Sequence, residues 1–212
     1  MAPRLPLFQP ATRRSAVVDL IIDRRHYDEV IDRAILRARV SLWIATANVK
    51  DVRVEAPIGS VARARGRYIS LLDRFVELGH RGVEIRFLHA RRPSQAFRDA
   101  LRRSKLAAPR FEMRECPRSH LKLIIVDGAY LYVGSANFTG AGLGAKAEGR
   151  RNFEMGIATE DDVLLDQAQL VYDRIWSGTE CGACRLRQVC PRPLDAPRAP
   201  TAVARRRRGH PG

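Results

Sequence analysis

The sequence predicts a single α/β domain, on three observations. Two segments with apolar residues at helical spacing each run into a short apolar strand, which is the alternation of a layered α/β domain. The first of those strands, Val40 to Ala47 (VSLWIATA), is apolar almost throughout instead of alternating, so its sheet is covered on both faces. Third, Leu123 to Val126 and Tyr130 to Val133 are apolar, β-branched or aromatic runs on either side of Asp127-Gly128, the pattern of a β-hairpin. At 212 residues with 45% hydrophobic content, the chain can bury one good core and is too short for two full catalytic domains.

In chain order, residues 1–25 read as an N-terminal arm. Its first part is basic and interrupted by Pro3, Pro6 and Pro10. It lacks the apolar core of a signal peptide, and its prolines oppose the amphipathic helix of an organellar presequence. No run of about 18 apolar residues occurs, so no transmembrane helix is expected and the location is read as cytoplasmic. From Tyr27, Val30, Ile31, Ala34, Ile35 and Ala38 form one apolar stripe ending near Arg39. After the Val40–Ala47 strand, Asn48 to Arg67 is polar, carries Arg53, Arg63, Arg65 and Arg67, and reads as a long surface loop. Tyr68 to Leu78 is expected to be helical, with Ile69, Leu72, Phe75 and Val76 inward, and Val83 to His89 to be a strand. Ser94 caps a helix over Gln95 to Lys105. A short strand near Phe111 to Arg114 leads into the hairpin. A Gly-rich stretch, Thr139 to Gly149, follows, then a strand over Asn152 to Ala158 and a helix from Asp161 to Trp176, whose Asp161 and Asp162 suit the positive end of the helix dipole.

The chemistry concentrates between His120 and Asn137. The stretch HLKLIIVDGAYLYVGSAN places His120 and Lys122 on one face at the start of the first hairpin strand, while Gly134, Ser135 and Asn137 end the second. An imidazole, an ammonium and amide or hydroxyl donors are what attack at phosphorus requires. The spacing resembles the phospholipase D superfamily signature H-x-K-x4-D-x6-G-S-x-N, all of whose defined positions are met. At ~5% usage per residue type, a chance match is on the order of 10⁻⁸ per start position.

That resemblance covers roughly residues 26–177 and implies a phospholipase D-like α/β sandwich with a mixed sheet flanked by helices. It makes His120 the nucleophile that forms a phosphohistidine, with Lys122 and Asn137 holding the nonbridging oxygens. Ser135 supports that cradle and Gly134 gives the backbone room to turn. Asp127, at the far end of the strand and roughly 16 Å away, has a structural role. The family places a carboxylate behind the histidine in an N-x-E context, which Asn152-Phe153-Glu154 fits. Glu154 is therefore expected to orient the His120 ring, with Glu148 competing for the part. The Gly-rich stretch, which carries Lys146, is expected to act as a lid. No second H-x-K occurs, and His89 reads as a strand-end histidine. Single-motif members of the family pair as homodimers, which implies a second His120 as general acid across a two-fold axis. Hydrolysis in the family is metal-independent, so no cofactor is expected for catalysis.

Residues 178–193 form a Cys-rich clip with Cys181, Cys184 and Cys190, and Cys116 stands four residues before His120. A Cys-x-x-Cys pair reads as a metal clip or redox pair. The spacing C-x2-C-x5-C resembles the iron–sulfur clip of certain DNA-processing nucleases, completed by a distant upstream cysteine; Cys116 is the candidate. Four thiolates serve structural zinc or a [4Fe–4S] cluster equally, and a disulfide or free thiols stay open. Residues 194–212, ending in Arg205 to Arg208, read as a disordered basic tail. The net charge of +15 favours polyanionic partners, DNA or RNA before anionic lipid. A phospholipid substrate would need apolar residues flanking the cleft, and no apolar loop is evident near the motif. A noncatalytic nucleic-acid-binding module is the third reading, opposed by the intact motif.

Overall fold

The computed structural model describes residues 13–104 and 110–196; the Arg run and the end of the basic tail lie outside them. The strands are β1 (Asp19–Ile22), β2 (Ser41–Thr46), β3 (Arg53–Glu55), β4 (Tyr68–Ser70), β5 (Glu84–His89), β6 (Phe111–Glu115), β7 (Leu123–Val126), β8 (Tyr130–Gly134) and β9 (Met155–Thr159). Seven of them make one mixed sheet in the order β1-β9-β8-β7-β2-β5-β6, parallel across β2, β5 and β6 and antiparallel elsewhere.

Period-2 alternation divides the core between the two faces of this sheet. On one face Leu42, Ile44, Ile85, Phe87, Ile124, Val126 and Tyr132 pack against three helices. These are a π-wound helix, His26–Ala34, continued by one tighter turn, then α2 (Leu71–His80) and α3 (Gln95–Arg103). On the other face Ala45, Leu88, Leu123, Ile125 and Leu131 meet Leu165, Tyr172 and Trp176 of α4 (Asp162–Trp176). Trp43 stacks on Tyr172, with ring centroids 5.2 Å apart. β2 is central and covered on both sides, which is why its sequence shows no clean alternation.

The expected cap at Ser94 is present, its Oγ accepting from the Phe97 amide; Asp161, expected at the positive end of its helix, is the N-cap itself and accepts from the Leu164 amide. Three expectations are corrected. Asn48–Arg67 is not a free surface loop, because Val52, Val54 and Ala56 are buried, β3 pairs with β4, and a single helical turn, α1, spans Val61–Ala64. Tyr68–Ser70 is strand, and the helix begins only at Leu71. Ser70 forms a capping box there with Asp73, which stops the helix from extending backwards. Finally, the arm supplies β1, an edge strand antiparallel to β9 that buries Ile21.

The hairpin is locked at its tip. Asp127 and Gly128 both take left-handed backbone (φ +55° and +64°), and the Ala129 amide donates to the Val126 carbonyl at 3.0 Å, the geometry of a type I′ turn. The Asp127 carboxylate then accepts from three consecutive amides at the start of β2: Arg39 (3.0 Å), Val40 (2.7 Å) and Ser41 (2.9 Å). Its own amide donates to the Ser41 carbonyl at 2.9 Å. Asp127 is structural, as expected, but it acts on backbone amides.

Asp127→Gly keeps the left-handed turn and removes the carboxylate. It is expected to cost about 2–4 kcal/mol in urea unfolding, with Asp127→Asn losing roughly half as much. An unchanged midpoint in both variants would refute this role.

Candidate active site

The hairpin places the two ends of the motif side by side. In register Leu123 faces Val133, and one step further the Gly134 amide donates to the Lys122 carbonyl at 3.2 Å. His120 is exposed just before β7. The Lys122 ammonium lies 3.1 Å from His120 Nδ1 and 3.3 Å from Nε2, and also donates to the His120 carbonyl at 3.2 Å. Desolvation lowers the Lys122 pKa from its ordinary value, and the nearby Glu154 carboxylate opposes that shift.

Asn137 is oriented from the parallel half of the sheet. Its Oδ1 accepts the Asn48 amide at 3.0 Å, so its NH2 is the group left to face a ligand. Thr46, at the end of β2, holds the same segment by accepting the Phe138 amide at 2.9 Å on its hydroxyl.

Ser135 has a different task. Its hydroxyl donates to Glu154 Oε2 in a short bond and accepts the Met155 amide at 3.1 Å, while its own amide donates to the Met155 carbonyl at 2.9 Å. The side chain therefore supports the site by tying the start of β9 to the end of β8. Glu154 does not orient the His120 ring as expected: its other oxygen accepts from Asn152 Nδ2 at 3.1 Å, and Lys122 is the neighbour of His120. Glu148 opens an exposed turn, Glu148–Arg150. Asn152, Phe153 and Glu154 precede β9 and are not part of it.

Gly134 supplies space, not a turn. A Cβ there would lie 2.3 Å from the Tyr132 hydroxyl and 2.8 Å from Gly156 Cα, and Gly156 in turn leaves room for the Tyr132 ring. Tyr132 is buried, and its hydroxyl lies 2.9 Å from His26 Nε2. Since the Asp23 carbonyl can only accept, His26 Nδ1 carries the proton at that 3.0 Å contact, and Tyr132 donates to Nε2. The Ala136 amide bonds to the same hydroxyl, so this relay fixes the backbone between Ser135 and Asn137 from beneath. Burial pushes the His26 pKa down and that of Tyr132 up.

Sequence reading missed Thr46, Asn48, His26 and Tyr132. Polar residues at the carboxyl end of a central strand were the available signal for the first two; an isolated His26 before an apolar stripe offered none. The Gly-rich stretch is not a lid, since Leu143 is buried in the core and a Cβ on Gly142 would lie 2.6 Å from the Asn137 carbonyl. His89 is the expected strand-end histidine, buried and bonded to the Arg91 carbonyl at 3.1 Å.

All four cysteines are free thiols and line one cavity. Among the described residues, no three His, Cys, Asp or Glu side chains stand gathered as a ready-made metal cage.

The profile of the family described as "Cardiolipin synthase, PLD-like domain" matches residues 31–176. The chain belongs to the phospholipase D-like superfamily. Among solved structures, this phospholipase D-like chain is similar to Nuc from Salmonella typhimurium, a phospholipase D family member, with 18% identity and a TM-score of 0.54 over 77% of this chain and 95% of that one. It is also similar to NucT from Helicobacter pylori, with 16% identity and a TM-score of 0.50 over 76% of this chain and 95% of that one. These likenesses show the fold. No curated protein sequence matches the chain. Among the described residues, no helix of this phospholipase D-like domain is long and apolar enough to cross a membrane.

Because His26 and His89 are held neutral by burial, the unfolded chain binds more protons below the ordinary histidine value of 6.5. Stability is therefore full above pH 6.5 and falls as the pH drops through the lowered folded values. Thermal melts at pH 7.5 and 5.5 are expected to show a lower midpoint at 5.5, with a smaller difference in His26→Gln. Equal pH dependence in the two proteins would remove His26 from this account.

Proposed function

We propose that the protein is a phosphodiesterase that cleaves nucleic acid through a phosphohistidine, with its side chains carrying the transition-state charge. One observation carries the reading: an exposed imidazole stands 3.1 Å from an ammonium, at the edge where an asparagine amide is turned outward by a bond to its own oxygen. His120 attacks phosphorus, the P–O bond to the leaving alcohol breaks, and Lys122 and Asn137 stabilise the charge on the nonbridging oxygens. Water then displaces the histidine and restores it. The +15 net charge supports DNA or RNA as the polyanion.

The leaving alkoxide needs a proton, and the motif provides one histidine per chain. A second copy of this chain supplies the other. The face that α4 covers over Leu131 is bare farther out, where Leu20, Ile22, Val133, Met155 and Ile157 are exposed across β1, β9 and β8, with Phe153 fully exposed beside them. An antiparallel sheet with an uncovered apolar face calls for a partner. This face adjoins the site through Glu154 and Met155, so its burial in a two-fold dimer supports two His120 imidazoles sharing one phosphate.

The same surface puts exposed apolar residues beside the motif on a sheet face, whereas the sequence expectation concerned only a loop, and it favours a second reading in which the substrate is a phospholipid and this face meets the bilayer. Incubation with DNA, RNA and anionic vesicles, without added divalent ion and with magnesium as comparison, separates the two. Nucleic-acid cleavage whose binding weakens steeply with salt is expected; cleavage of lipid alone would overturn the nuclease reading.

His120→Ala is expected to lose about 10³-fold or more in turnover and to leave no acid-labile phosphoenzyme. Ile157→Asp is expected to be a folded monomer by light scattering, with about 10²-fold lower turnover for want of the general acid. Full activity in a monomeric protein would end the dimer proposal.

A further inference from the structure

The C-terminal segment poses a question that the catalytic reading leaves open. Residues 177–196 contain turns but no helix or strand, and Leu186 and Val189 are exposed. Yet the segment doubles back tightly, since a Cβ on Gly178 (φ +80°) would lie 2.4 Å from the Asp195 amide. So few apolar contacts do not hold twenty irregular residues in one shape without a crosslink.

The four cysteines of the chain meet where that crosslink would be. Cys116, Cys181, Cys184 and Cys190 line one cavity of about 20 Å³, together with Arg118 and Arg187. Cys116 lies directly after β6, and its amide donates to the His89 carbonyl at 2.8 Å. Around the Cys-x-x-Cys pair the chain turns in steps: the Cys181 amide donates to the Gly178 carbonyl, the Cys184 amide to that of Cys181, and the Arg187 amide to that of Cys184.

We propose that Cys116, Cys181, Cys184 and Cys190 are the ligands of one structural Zn²⁺ ion, a site separate from the phosphodiester chemistry. The thiols surround the cavity without converging on its centre, and side-chain rotation on these tight turns brings them onto the ion. The four thiols border one small space shared between the turn after β6 and the C-terminal segment, which is where a single centre would join them. Four thiolates with no open position match the closed tetrahedral site of structural zinc, and metal analysis separates it from a four-iron cluster on the same ligands. The resulting net charge of about −2 from four thiolates and one dication is met by Arg118 and in part by Arg187, whose guanidinium also pairs with Asp195 at 2.6 Å. The ion would fasten the C-terminal segment to the turn Cys116–Ser119 that leads into His120, making its ligands positioning residues for the nucleophile.

The test uses the full-length protein expressed in zinc-supplemented medium. Elemental analysis is expected to give one zinc per chain, with little iron or sulfide. Cobalt substitution is expected to produce the ligand-field bands of a tetrahedral site together with intense sulfur-to-metal charge transfer. Cys181→Ser/Cys184→Ser is expected to lose the metal. Cys116→Ser is expected to weaken the charge-transfer band and to raise KM or lower kcat while His120 is intact. Iron with stoichiometric sulfide would overturn the single-ion assignment, and a cobalt spectrum unchanged in Cys116→Ser would overturn Cys116 as a ligand. Metal-free protein with four freely alkylated thiols would overturn the site itself; the wild-type measurements decide this even where a variant fails to fold.

Discussion

The carboxylate of Asp127 is the constraint on which the site's geometry rests. It sits at a residue with left-handed backbone and gathers three successive amides at the start of β2. This joins the tip of the β7–β8 hairpin to the first strand of the parallel half. A hairpin alone would be free to slip or splay. With its tip held, its opposite end, where His120, Lys122, Gly134 and Ser135 lie, has one position relative to β2. A residue at the far end of the hairpin thus fixes the frame in which the motif side chains stand.

The open end needs a support of its own, and close packing provides it. Gly134 and Gly156 face one another across β8 and β9, and the Tyr132 side chain fills the space that neither Cβ occupies. From there the Tyr132 hydroxyl reaches His26. The N-terminal helix therefore reaches the site through a buried hydrogen bond and an edge-on ring contact between His26 and Tyr132, and the rigidity of the Ser135–Asn137 backbone depends on a neutral imidazole at its start. Ser135, expected to support the cradle by hydrogen bonding, bonds to Glu154 and to the Met155 amide, clamping the segment that enters β9.

Much of this was readable from sequence because it is local. The hairpin, its turn dipeptide, the apolar character of β2 and the cap at Ser94 each depend on residues a few positions apart. The motif residues were found by spacing, and the structure brings His120 beside Lys122 as expected. What escaped is of two kinds. Strands of three or four residues, such as β1, β3 and β4, are too short for a period-2 pattern to stand out; Val52, Val54 and Ala56 did alternate, but between charges that read as loop. Side-chain partners distant in the chain escaped as well. Nothing local reveals that Glu154 would turn to Ser135, or that Asn48 would select which end of the Asn137 amide faces outward.

That last contact spans 89 positions of sequence, and it crosses from the antiparallel to the parallel part of the sheet. Neither half of the domain alone presents a competent anion cradle, even though the signature itself sits within one continuous stretch. The arrangement of the motif is thus completed only with global closure, and a chain partly synthesised or partly unfolded carries His120 and Lys122 without the oriented Asn137 amide.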